Sequence, residues 1–263
     1  ILFIALTAFA VYWFSKNVGK IRRNILLGRD IDRSDRSSER WMTMLKVAFG
    51  QTKMAVRPVP FIFHFLIYAG FIIINLEVLE IIIDGAFGTH RVFAPLLGGL
   101  YNFLIGSFEF LALGVWLACV VFFARRNFLK LKRFTGTEMT SWPKSDANYI
   151  LITEILLMSA FLIMNAADFK LQELGVSHYI QAGAFPISSF LVNLLPTDIH
   201  ALEMIERSCW WFHILGILAF LNYVPYSKHF HIFLAFPNTY FSNLDAKGRF
   251  SNMKSVTNEV KAM

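Results

Sequence analysis

PVPFIFHFLIYAGFIIINLEVLEIII, residues 58–83, is one apolar run with a histidine, His64, near its start and two acids, Glu77 and Glu80, near its end. An α-helix rises about 1.5 Å per residue, so about 20 apolar residues cross a hydrocarbon core of about 30 Å. This run is long enough. Pro58 and Pro60 fall in its first turn, where a missing N–H is tolerated, and Gly85 is the expected stop.

Four more runs flank it, at roughly residues 1–14, 100–124, 148–168 and 197–224. Thr197 is the expected N-cap of the last, with Asp198 in its first turn. The sequence is 56% hydrophobic and 16% charged, with a mean hydropathy of +0.51; soluble domains carry about 25% charged residues. The expected fold is all-α: a polytopic membrane protein with a five-helix bundle over residues 1–237 and a polar tail over 238–263. The first run has neither a charged segment before it nor a small-residue cleavage site after it, so it reads as a span and not a signal peptide. Between spans, WMTMLKVAFG (41–50) has the pattern of a short amphipathic surface helix. ISSFLVNLL (187–195) is too short to cross and reads as re-entrant or interfacial.

The net charge is +7. Of the 25 Lys and Arg, all but Arg91, Lys170 and Arg207 fall in the first loop, the third-to-fourth loop and the tail. By the positive-inside rule these segments face the cytoplasm and the N-terminus faces outward, as in a multi-pass protein of the inner (cytoplasmic) membrane. That distribution also accounts for the basic charge without a nucleic-acid partner. Cys119 and Cys209 are the two cysteines and form no CxxC, so an iron–sulfur cluster has no ligand set here. No internal repeat is present, which argues against an inverted-repeat transporter.

Histidines inside a membrane are expensive and mark candidate sites. His64 lies about six residues into its helix, toward the cytoplasmic side. The fifth run carries His213, and the segment PYSKHFHIFLAFPN (225–238) carries Lys228, His229 and His231 at the inner end. His64 and the His229/His231 pair thus share a depth. A haem held by two imidazoles needs such a pair on facing helices. His213 and His231 are 18 residues apart, about five whole turns, so on a straight helix they share a face and phase favours His231 over His229; Pro225 is able to reset that phase. His229 beside Lys228 also reads as an interfacial basic residue, and His213 as a hydrogen-bonded packing residue. Arg57 and Lys228 are cations at the same level, suited to haem propionates or to membrane anchoring. Glu77, Glu80, Glu109 and Glu154 are intramembrane acids, each a candidate proton acceptor for quinol. Asn75 and Asn165 are candidates for bonds across helices.

RPVPFIFHFLIYAGF (57–71), WWFH (210–213) and PYSKHFHIFLAFPNTYF (225–241) resemble the membrane cytochrome b subunits of the respiratory nitrate reductase gamma type. They resemble even more the membrane domain of heterodisulfide-reductase-like iron–sulfur oxidoreductases. The resemblance implies a b haem between the second and fifth helices. Electrons would pass between menaquinone or ubiquinone and a cytoplasmic iron–sulfur partner. It matches His64 and His231 to the inner haem and His213 to one ligand of a second, outer haem. Around Ile74 and Asn75, where the fourth histidine of the gamma type falls, there is none. In the second group a cysteine-rich ferredoxin-type domain follows the membrane domain. Residues 238–263 hold no cysteine, so the resemblance implies clusters on a separate subunit or further along a longer chain. The competing readings are a haem-free anchor that docks a partner through basic loops, and a proton-coupled transporter using Glu109 or Glu154.

Overall fold

In a computed structural model, all residues are described except 130, 132, 133, 135, 137–140, 247 and 249–252. Lys130, Lys132, Arg133, Lys247 and Arg249, counted above among the basic loop residues, lie outside the described residues. Among those described there is no strand. Five helices are long and apolar enough to cross a membrane: α1 (Leu2–Ile25), α3 (Pro58–Phe87), α5 (Gly99–Asn127), α6 (Trp142–Glu173) and α7 (Ile199–Tyr223). Phe71, Ile72, Leu76, Leu79, Phe103 and Phe110 are exposed on them. Apolar surface this extensive is stable only against lipid.

The chain divides into two units. The first comprises Ile1–Asp30 and Lys53–His231 and holds all five spans. α6 packs on both α5 and α7, α3 packs on α5, and α1 packs on α7 and α3. Half of the apolar window of α6 is buried against 17% for α1, so α6 is the central helix and α1 a peripheral one. The second unit comprises Ile31–Thr52 and Ile232–Met263. It contains α2 (Ser37–Met44), a π-helical turn at Leu45–Phe49, most of α8 (His231–Tyr240) and α9 (Lys254–Ala262). Within it the buried Arg40 guanidinium donates to the carbonyls of Asp35 (2.7 Å), Tyr240 (3.2 Å) and Ser242 (3.0 Å). Trp41 packs edge-on against Tyr240 and Phe49 against Phe236.

Several boundaries differ from the expected ones for local reasons. α1 continues past Phe14 to Ile25, because its basic second half needs no lipid to stay helical. Gly85 does not end α3; the helix runs to Phe87 and closes on Gly88, whose φ of +73° favours glycine. Gly85 instead meets Phe3 and Trp210, leaving no room for a Cβ. Asp198, not Thr197, caps α7 by accepting from the Ala201 N–H at 2.8 Å. The segment 187–195 forms two 3-10 turns, at Ser188–Phe190 and Val192–Leu194. It is held by Glu109, which accepts from the Ile187 and Ser188 N–H groups at 2.8 and 3.1 Å. Glu109 is therefore a structural acceptor of this connection, fully buried. Asn165 does bond across helices, donating to Glu109 at 3.2 Å. Asn75 does not; it donates back to the Phe71 carbonyl of its own helix.

Candidate functional site

The first turns of α3, the last turns of α5, the start of α6 and the chain after α7 enclose a cavity of about 1130 Å³. Its wall is mostly apolar, with Ile67, Phe122, Ile150 and Leu151. Its polar residues include His64, His229 and His231, the cations Arg57, Arg125, Arg126 and Lys228, and the Glu154 carboxyl.

Pro225 shapes the histidine side. α7 ends at Tyr223, and a 3-10 turn at Val224–Tyr226 gives way to extended Ser227 and a second 3-10 turn at Lys228–Phe230 before α8 begins at His231. The helical phase between His213 and His231 is broken here, so the straight-helix count does not reach His231. Four polar bonds replace it. Asp146 of α6, 2% exposed, accepts from Tyr223 Oη (2.6 Å), Ser227 Oγ (2.7 Å) and the Lys228 N–H (3.1 Å). Ser227 Oγ in turn accepts from the His229 N–H at 3.0 Å. Both histidines consequently face the cavity.

The rings of His64 and His231 stand 6.3 Å apart between centres, tilted by 45°. His231 Nδ1 is 3.0 Å from the Lys228 carbonyl. A carbonyl only accepts, so Nδ1 carries a proton, which in a neutral ring leaves Nε2 with its lone pair, the arrangement typical of metal-bound imidazoles. Two imidazoles bonded to one metal from opposite sides, with bonds of about 2.0–2.1 Å, have ring centres roughly 6 Å apart. The His64–His231 pair meets that spacing. His229 lies edge-on to His231 at 5.6 Å and 90° and against Phe220 at 5.3 Å. Burial and the neighbouring His231 ring push His229 down to about 4. Burial and the Arg126 charge likewise lower Lys228.

An unfolded histidine takes up its proton near pH 6.5, so stability linked to His229 is complete above that value and lost as pH falls toward 4. His229→Gln should lose less of its thermal midpoint than the unsubstituted protein between about pH 7 and 4.5. Equal losses would show that the ring is not held neutral.

The cation side fits an acidic group. Arg126 Nη2 donates to the Pro143 carbonyl at 3.0 Å, while its Nε is buried with no hydrogen-bond partner among the described residues. Lys228 Nζ donates to the same carbonyl and lies 3.8 Å from Asp146. An orphaned buried guanidinium N–H beside three further cations is a site for carboxylates.

His213 is not brought to this cavity. It is 1% exposed, packed on Phe161, with Nδ1 3.0 Å from the Leu157 carbonyl of α6. Arg125, Arg126, Glu154 and Asp146 were not legible as parts of one site. The arginines read as the end of a helix, and Asp146 as a loop residue before α6.

The chain is similar to two curated proteins. It is 28% identical over 262 residues to the probable iron-sulfur-binding oxidoreductase FadF of Bacillus subtilis, covering 99% of this chain and 35% of that protein. It is 27% identical over 236 residues to the EtfAB:quinone oxidoreductase of Syntrophomonas wolfei, covering 84% of this chain and 30% of that protein. The chain thus spans about a third of the length of the curated relatives it matches. No family model matches it, and no solved structure does.

Proposed function

We propose that this chain is the membrane electron-transfer part of a quinone-linked oxidoreductase, with one b-type haem between His64 and His231. The observation that carries the reading is the pair of imidazoles 6.3 Å apart in a large apolar cavity bordered by four cations. The names of the two relatives, an iron–sulfur oxidoreductase and a quinone oxidoreductase, support a redox role. Haem supplies reversible one-electron chemistry when bound; the protein supplies ligands, depth and access. His64 and His231 provide neutral imidazole nitrogens from two different segments. The Lys228 carbonyl fixes the tautomer of His231, and Arg57, Arg125, Arg126 and Lys228 offset the propionate charge. His229, beside the ligand pair, fills space as a neutral ring. With the N-terminus outward the cavity opens to the cytoplasmic side, where an iron–sulfur partner would exchange electrons, and the quinone is drawn from the surrounding lipid. His213 bonds a backbone carbonyl and faces a phenylalanine, which favours a single haem.

A reduced-minus-oxidised visible spectrum with haem quantification on the purified protein tests this. One haem per chain is expected; absence of haem bands would favour the haem-free anchor.

Asp146 is a positioning residue in this reading. Asp146→Ala releases Ser227 and the Lys228 N–H, and should weaken haem retention roughly 10-fold, as loss of a supporting hydrogen bond does at metal sites. Asp146→Asn, which still accepts from Tyr223 and Ser227, should retain most of it. Equal haem content in all three proteins, measured by pyridine haemochrome, would remove Asp146 from the site.

A further inference from the structure

A second cavity, about 330 Å³ in volume, lies toward the other end of α3. Glu77 is 13 residues beyond His64, about 20 Å along the helix. One wall is aromatic: Phe3 of α1 and Trp210 and Trp211 of α7, with ring centres 5.2–6.1 Å apart. The opposite side is polar and carries many acids, most of them already bonded. Asp168 accepts from Arg91 Nε at 2.8 Å and from Gln172 at 3.0 Å. Glu80 accepts from the Phe93 N–H at 2.8 Å and Tyr101 Oη at 2.7 Å. Asp84 accepts from the Arg91 N–H at 2.8 Å, and Glu206 from Tyr179 Oη at 3.1 Å. Glu77 differs. It is 4% exposed, it lines the cavity, and its Oε2 is buried without a hydrogen-bond partner among the described residues. An unsatisfied buried carboxyl oxygen is unfavourable by about 1–3 kcal/mol, so it points to a ligand that completes it.

The ligand has to be flat, apolar over most of its surface, and polar at one edge. The volume lies at the small end of the range for ligand pockets, about 300–1,000 Å³, which suits one or two fused rings and not a haem. The Phe3 wall belongs to α1, the least buried span, so an aliphatic tail leaves toward lipid on that side. We propose that this cavity binds the head group of a membrane quinone or quinol, with Glu77 hydrogen-bonded to a ring oxygen. A protonated Glu77 donates to a quinone carbonyl, and an ionised one accepts from a quinol hydroxyl. Trp210 and Trp211, 81° apart in plane, would give the ring one stacked and one edge-on contact. This assignment rests on the quinone-linked function proposed above and adds the location of the quinone.

The test uses the full chain in detergent and a short-chain azido-naphthoquinone as photoreactive probe, with haem quantified on the same sample. Labelling is expected on peptides containing Trp210–Trp211 or residues 81–91, and is expected to be competed out by unlabelled naphthoquinone. Glu77→Leu and Trp210→Leu should each weaken probe affinity roughly tenfold, the loss of one polar or one stacking contact, with haem content unchanged. Label concentrated on the peptides around His64 or His231, label that competitor does not displace, or wild-type affinity in both variants would overturn the site. Labelling of the wild-type chain decides the matter even if a variant fails to fold. Displaceable label at Trp210–Trp211 in a protein without haem would leave the quinone site standing and overturn only the haem reading.

Discussion

His64→Ala and His231→Ala are each expected to strip the purified protein of the proposed haem, with a drop of at least about tenfold in haem per chain. In the proposed site each imidazole would supply one of the two ligand nitrogens, and a small side chain at either position would leave a single ligand and a hole beside it. The four cations around the cavity would hold propionates without bonding iron, so they are not expected to rescue retention. His213→Ala, by contrast, is expected to leave haem content unchanged, since its ring is spent on the Leu157 carbonyl 3.0 Å away. His229→Ala keeps most of it too, because its neighbour holds the fixed tautomer. Absorbance of the reduced protein together with extracted haem measures all four. If His64→Ala retained haem while His229→Ala lost it, the ligand pair would have to be redrawn. Unchanged haem in both His64→Ala and His231→Ala would end the assignment.

Asp168→Asn is expected to destabilise the protein by about 3–5 kcal/mol, the usual effect of leaving one buried charge without its partner. Arg91 and Asp168 are 5% and 3% exposed, and their closest N···O distance is 2.6 Å. The guanidinium also donates to Tyr101 Oη at 3.1 Å and to Asn165 at 3.3 Å. It joins the loop after α3 to α5 and α6. The asparagine variant leaves a buried cation with neutral partners. Arg91→Leu combined with Asp168→Leu removes both charges and should be less destabilised than Asp168→Asn alone. Equilibrium unfolding in mixed detergent micelles measures the three. A double variant less stable than the single one would mean that the pair's hydrogen bonds, not its charge balance, hold the loop.

Residues 58–83 and the four similar runs specify five spans because a membrane demands about 20 apolar residues in a row, and that demand is local in sequence. The candidate site was half legible for the same reason. Depth along a helix is counted in residues, so His64 and His231 could be matched by position. What brings His231 to face His64, however, is Asp146 holding the break after Tyr223, a contact 77 to 82 residues apart in sequence. No periodicity reports it. Gly85 misled because a glycine near the end of an apolar run reads as a stop, whereas here it admits Phe3 and Trp210. Glu109 carried the same ambiguity: an intramembrane acid signals that something polar lies opposite it, and the partners proved to be backbone N–H groups of residues 187 and 188.

α3 runs from Pro58 to Phe87 as one α-helix, and His64 and Glu77 stand on it about 220° apart around its axis. The two cavities are therefore read by nearly opposite faces of one rod. No loop lies between them to take up slack. A small roll of α3 that moves His64 further into its cavity swings Glu77 in the contrary direction relative to the helices across from it, as the two arms of a rocker do. Inserting one residue between them turns one face by about 100° against the other, so the register of this single helix sets the geometry of both ends.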